Sequence, residues 1–157
     1  MESERLKISN DYLRGLVEGG GSFTFTTSNK RKVPAFSIQM NVRDKELLMA
    51  LCNRLNLPNE VYEYPPYLKD DYKRGPSARL IVREYESLRD KIIPFFYKKL
   101  MGNKGRKFNE WLEKMGSDPK VSKKFKTLYQ LHKDGYYDNP SKKWFWEERE
   151  VNDINIM

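Results

Sequence analysis

The 157-residue chain is long enough for one domain with a full core and hardly long enough for two. Its lone cysteine, Cys52, excludes an intrachain disulfide and a thiolate metal cluster, and no run of about 20 apolar residues is present to span a bilayer. A formal charge of +8 points to a polyanionic partner, nucleic acid ahead of a membrane surface or a general solubility effect, while 13% aromatic content separates the chain from a basic disordered tail.

Residues 1–7 read as a polar lead-in without the apolar segment of a secretory signal, so an intracellular setting is expected: cytoplasm, nucleoid or an organelle matrix. A short helix follows through residue 18, with Ser9, Asn10 and Asp11 each a candidate cap. Gly15 inside it costs about 0.5–1 kcal/mol against alanine, which points to a close approach to the backbone. Gly19, Gly20 and Gly21 end the helical pattern, and a period-2 pattern takes over. Phe23 and Phe25 fall on one side of the first strand, 22–28, and Ser22, Thr24 and Thr26 on the other. A turn at 29–32 leads to a second strand, 34–42, with Phe36, Ile38, Met40 and Val42 on one face and Ala35, Ser37, Gln39 and Asn41 on the other.

Asp44 is the expected cap of a second helix in which Leu47, Leu48, Leu51 and Leu55 repeat at helical spacing. A short strand at 61–64 is stopped by Pro65 and Pro66, and 67–75 reads as a solvated loop or a twisted hairpin connection. The fourth strand is 78–83. Ser87 caps a helix from Leu88 into Pro94, and a break at 102–105 precedes a helix, 106–115, with Phe108, Trp111, Leu112 and Met115 in one stripe. Past Gly116, residues 117–119 are a candidate helix start leading through Phe125, Leu128 and Leu131. The loop-like 135–140 then gives way to the aromatic Trp144, Phe145 and Trp146. This tail reads either as added helical packing or as part of an interface.

The stretch Leu13-Arg14-Gly15-Leu16-Val17-Glu18-Gly19-Gly20-Gly21-Ser22-Phe23 resembles the motif of the LAGLIDADG homing endonucleases. Further along, the resemblance continues in 44–48 (Asp-Lys-Glu-Leu-Leu), in 92–96 (Ile-Ile-Pro-Phe-Phe) and in the basic start at 106–108, so it covers roughly 8–115. It implies an α+β fold, a helix-strand-strand-helix-strand-strand-helix unit. Its four-stranded antiparallel sheet would form a saddle over DNA, with helices behind. It assigns 8–115 to the DNA-binding endonuclease unit and leaves 116–157 as a C-terminal helical extension on the same domain. No second motif is found, so the resemblance is to the single-motif type. Two copies would pair as a homodimer through Leu13, Gly15, Leu16 and Gly19, on a pseudopalindromic double-stranded site.

The resemblance also implies Mg²⁺-dependent phosphodiester cleavage, with a carboxylate at the position held here by Gly20. Glu18 matches the first acidic position but lies about 200° away around the helix. The metal site would therefore have only the carbonyls of Gly19 and Gly20, or a restored Asp or Glu at position 20. Impaired cleavage is expected. Lys99, with Lys98 as its alternative, matches the active-site lysine by spacing from Pro94, and Met40 stands where a water-positioning polar residue is usual. Base contacts on the outer sheet face fall to Thr24, Thr26, Ser28, Lys30, Ser37, Gln39 and Asn41, with Gln39 suited to adenine; Arg79 and Arg83 share a face whose register is open. Phosphate contacts are assigned to Arg31, Lys32, Lys69, Lys73, Lys98, Lys99, Lys104 and Arg106. His132, the one histidine, reads as a helix-surface or packing residue and not as a general base or zinc ligand. A non-cleaving DNA- or RNA-binding (maturase-like) protein and a protein-interaction scaffold built on the aromatic tail are the competing readings.

Overall fold

The computed structural model describes residues 8–148 apart from the side chain of Lys69; the lead-in 1–7 and the chain past 148 lie outside the described residues. Helix α1, Asn10–Gly20, starts at Ser9, whose hydroxyl accepts from the Tyr12 amide at 3.0 Å. Of the three candidate caps, the one preceding the helix is used, where the first amides are free. The helix runs straight into β1, Gly21–Ser28. A Cβ at Gly21 would lie 2.5 Å from Val17 Cγ1, so this loopless change from helix to strand needs glycine.

β1 pairs antiparallel with β2, Arg31–Asn41. The expected four-residue turn is only Asn29 and Lys30, with φ of 50° and 67°. A two-residue left-handed turn matches the twist of the strands, and it draws Arg31 and Lys32 into the ladder opposite Ser28 and Thr27. Val42 departs from the expected strand into a 3-10 turn, Val42–Asp44. Asn41 caps that turn, its side chain accepting from the Arg43 amide at 3.0 Å, while Asp44 precedes α2 without the side-chain cap bond expected of it. Helix α2, Lys45–Leu55, buries Leu48, Leu51 and Leu55 and stops at left-handed Asn56.

Strands β3 (Tyr62–Tyr64), β4 (Tyr67–Lys69), β5 (Tyr72–Arg74) and β6 (Ser77–Val82) follow. Asp70 and Asp71, both at positive φ, close β4 and β5 into a hairpin of their own. The main sheet is β1-β2-β6-β3, antiparallel throughout, the α+β architecture the resemblance implies.

Behind the sheet, α3 (Tyr85–Ser87), a π-helical turn (Leu88–Ile92) and α4 (Ile93–Phe96) form one helical run, so Ser87 is buried inside it and does not cap it. Helix α5, Asn103–Ser117, begins earlier than its apolar stripe. Phe23 is the hub of the core, with ring centroids 5.4, 5.7, 5.0 and 5.2 Å from Phe36, Phe96, Phe108 and Trp111. Trp111 Nε1 also donates to the Thr24 carbonyl at 2.7 Å, tying α5 to β1.

Asp118 closes α5 and does not open the next helix, because the chain first runs beside β2: Lys32 N donates to the Lys120 carbonyl at 3.0 Å. Helix α6, Lys123–Lys133, then packs on α5. In the tail, Trp144 stacks on Trp146 at 5.3 Å, and Trp146 is buried, with Asn10 Nδ2 donating to its carbonyl at 3.3 Å. Arg54, itself buried, donates to Asn10 Oδ1 and the Ile8 carbonyl, joining α2 to the same corner.

Candidate nucleic-acid interface and helix-end site

Register fixes the two faces of the sheet. Gly21, Phe23, Phe36, Ile38, Ala78, Leu80 and Val82 point to the helices. Ser22, Thr24, Thr26 and Ser28 share the outer face with Arg31, Ala35, Ser37, Gln39 and Asn41, the rows expected from alternation. Arg79 stands directly opposite Gln39, which settles its face as the outer one, and Arg83 is exposed one residue beyond β6. Lys30 occupies the turn. Lys32 departs from its expected role: alternation sends it to the helix side, where its Nζ pairs with Asp118 at 2.8 Å. That pairing and the Lys120 amide hold the Asp118 carboxyl below the usual range.

The C-terminal end of α1 is a second centre. Glu18 is not free there: its Oε1 accepts from the Met101 amide at 2.7 Å and its Oε2 from the Gly102 amide at 3.1 Å. Gly102 has no side chain of its own to cap α5, so the carboxylate holds the approach to that helix. Gly105 tightens the same turn, since a Cβ there would come 2.6 Å from the Leu100 carbonyl oxygen. The result brings Lys104 Nζ onto the Gly21 carbonyl, one residue past Gly20.

Neither lysine expected at this centre holds that contact. Lys98, at left-handed φ, pairs with Asp138 at 2.9 Å, which also accepts from the Tyr97 hydroxyl at 3.0 Å. Lys99 is exposed and makes no ion pair among the described residues. The loop between α4 and α5 folds back, which carries Lys98 to Asp138 and Lys104 to Gly21. A cue was present: a lysine in the first turn of a helix opposes the helix dipole, so its partner lies elsewhere.

The donors here do not fit a divalent cation. Gly20 offers no carboxylate, both Glu18 oxygens are occupied by amides, and an ammonium sits on the adjoining carbonyl. Among the described residues no three His, Cys, Asp or Glu cluster to hold a metal. Met40 packs half-buried against the core, facing away from Gln39 and Asn41.

Of the four residues expected at a helix-helix interface, Leu13 is turned inward and fully buried with Val17, since these two supply the helix's core stripe. Gly15 and Gly19 lie exposed, with open space where a Cβ would be, beside half-buried Leu16 and exposed Tyr12. Among the described residues nothing makes the close approach that Gly15 implies. The aromatic tail is largely consumed by its own packing, with Lys142 over the rings of Tyr136 and Trp144. His132 lies against Tyr97 and Tyr129, and burial holds its imidazole below the ordinary value. Burial likewise pushes the Cys52 thiol up to about 11, where it is a poor nucleophile. No helix among the described residues is long and apolar enough to cross a membrane.

Comparison with known proteins converges on one group. A probable intron-encoded DNA endonuclease 1 from Mycosarcoma maydis is 32% identical over 91 residues, which are 57% of this chain and 30% of that protein. The homing endonuclease I-LtrWI bound to target DNA superposes with a TM-score of 0.54 at 25% identity, over 76% of this chain and 41% of its own. I-CpaMI bound to uncleaved DNA gives 0.55 at 23%, over 83% and 42%. The chain thus spans under half the length of these relatives. The family profile described as LAGLIDADG endonuclease matches residues 13–115, about two thirds of the chain, and the chain belongs to that family.

Proposed function

We propose that the chain binds double-stranded DNA sequence-specifically through the outer sheet face, as a homodimer on a pseudopalindromic site, and cleaves it poorly or not at all. The observation that carries this reading is the end of α1: glycine at position 20, beside a Glu18 committed to two backbone amides. The exposed stripe of Tyr12, Gly15, Leu16 and Gly19 supports pairing of two α1 helices, with Leu13 removed from the contact. In the proposed arrangement 8–115 is the DNA-binding unit and 116–157 its extension, of which the described part, 116–148, braces the unit from behind. Lys104 replaces Lys98 and Lys99 as the cation beside the scissile phosphate. Mg²⁺ belongs to the ancestral activity and finds no adequate ligand set at the end of α1 among the described residues.

The test is Gly20→Asp, assayed beside the unmodified chain on a randomised duplex library with Mg²⁺. Position 20 has open space for a side chain, so the substitution fits without repacking. Specific double-strand cuts by the substituted protein alone are expected. Robust cutting by the unmodified chain overturns the reading. Duplex binding no stronger than that of a neutral control protein would favour a scaffold, and stronger binding to single-stranded RNA a maturase-like role.

A further inference from the structure

Arg79 is held from two sides on the outer sheet face. In the plane of its guanidinium, Nε and Nη2 both donate to Gln39 Oε1, at 3.0 and 2.6 Å. Over its face lies the Tyr64 ring, with its centroid 4.9 Å from the guanidinium carbon. Register explains both contacts. Gln39 is the direct cross-strand partner of Arg79 on β2, and Tyr64 is its diagonal neighbour on β3, two residues beyond the directly opposed Tyr62.

This arrangement changes what each side chain can read. A guanidinium has five N–H donors and no acceptor, so the amide of Gln39 must present oxygen to it. With that oxygen taken twice, Gln39 lacks the paired donor and acceptor that adenine requires, and its expected role as an adenine reader lapses. Arg79 keeps one Nη2–H and both Nη1–H groups. Two of these point forward along the side chain as a fork for two acceptors. In the major groove the base edge offering two adjacent acceptors is guanine, with O6 and N7.

We propose that Arg79 is a guanine-reading residue and that Gln39 and Tyr64 are positioning residues that lock its fork. The assignment rests on the DNA-binding reading above and adds a base and a side chain to it. Locking matters because a free arginine loses rotamer freedom on binding, whereas one already fixed loses less.

The experiment selects preferred duplexes from a random library with the unmodified chain, then measures affinity by fluorescence anisotropy. A fixed guanine position is expected, with other bases there binding about 5- to 150-fold more weakly. Replacing that guanine by 7-deazaguanine, which lacks only the N7 acceptor, should weaken binding of the unmodified chain and leave Arg79→Ala unaffected. Arg79→Ala should still bind duplex but accept any base at that position. Gln39→Ala and Tyr64→Leu should keep the guanine preference at reduced strength. Duplex binding with no guanine preference, or equal 7-deaza losses with and without Arg79, overturns the assignment. Absence of duplex binding by the unmodified chain sinks the DNA-binding reading itself, and the assignment with it. Should Arg79→Ala fold poorly, Arg79→Met, which keeps the apolar stem and lacks the fork, repeats the 7-deaza comparison with the same two outcomes.

Discussion

The outer sheet face and the end of α1 adjoin at Gly21, yet they are built by different rules. The sheet face follows local alternation: residues two apart share a side, and a hydrogen-bonded register carries that order across strands. The helix end is assembled from residues distant in sequence, with Glu18 reaching the amides of Met101 and Gly102 and Lys104 reaching the carbonyl of Gly21. The first kind of surface tolerates change one side chain at a time. The second stands or falls with the loop that closes it.

The largest effect should come from removing what both regions share. Phe23→Ala empties the hub between sheet and α5 and should cost about 3–5 kcal/mol, read by chemical denaturation. A cost below about 1 kcal/mol would show that the two regions do not lean on a common core. Next is Gly105→Ala, which forces a methyl against the Leu100 carbonyl and should cost about 1–3 kcal/mol. Unlike the first, it should leave base preference in duplex binding unchanged while lowering affinity alike for all sequences through a displaced Lys104, because the sheet face does not depend on that turn.

That contrast explains what the sequence disclosed. Alternation placed Thr24, Ser37, Gln39 and Asn41 on one face correctly, since a strand reports its sides without knowing its neighbours. The same rule went astray at the strand ends: Val42 leaves for a 3-10 turn, and counting Arg31 and Lys32 as turn residues hid that one faces outward and the other back toward Asp118. At the helix end no period exists to read. Spacing singled out Lys98 and Lys99, and only the folded loop brings Lys104 to Gly21. Leu13 was drawn to the wrong surface because a helix motif names a family's contacts without saying which residues the single chain already buries.

Arg31 and Lys32 give a finer comparison of front and back. Arg31→Ala should lower duplex affinity and reduce the slope of log K against log salt by about 1.8 per homodimer, the loss of one phosphate contact in each subunit. Lys32→Ala should leave that slope alone, and an equal change in both would place Lys32 on the DNA side after all. The smallest effect expected is a pH response. The imidazole of His132 is held below its ordinary 6.5 chiefly by burial, with Lys133 adding to it, against opposing pulls from Glu113 and Asp138. The unfolded chain therefore binds the proton first. Stability from this group is full above pH 6.5 and is lost as pH falls through the folded value. His132→Phe should flatten the decline of the urea midpoint between pH 7 and 5; an unchanged decline would assign it to other groups.

The hydrogen bond from Asn10 to the carbonyl of Trp146 joins groups 136 positions apart. During synthesis α1 is made well before residue 146, and its starting corner stays open until that residue has been made. Contacts of such separation close late and slowly. A stalled or prematurely ended polypeptide would therefore present α1 with Arg54 and Asn10 deprived of this closure, a form open to premature pairing with another nascent chain.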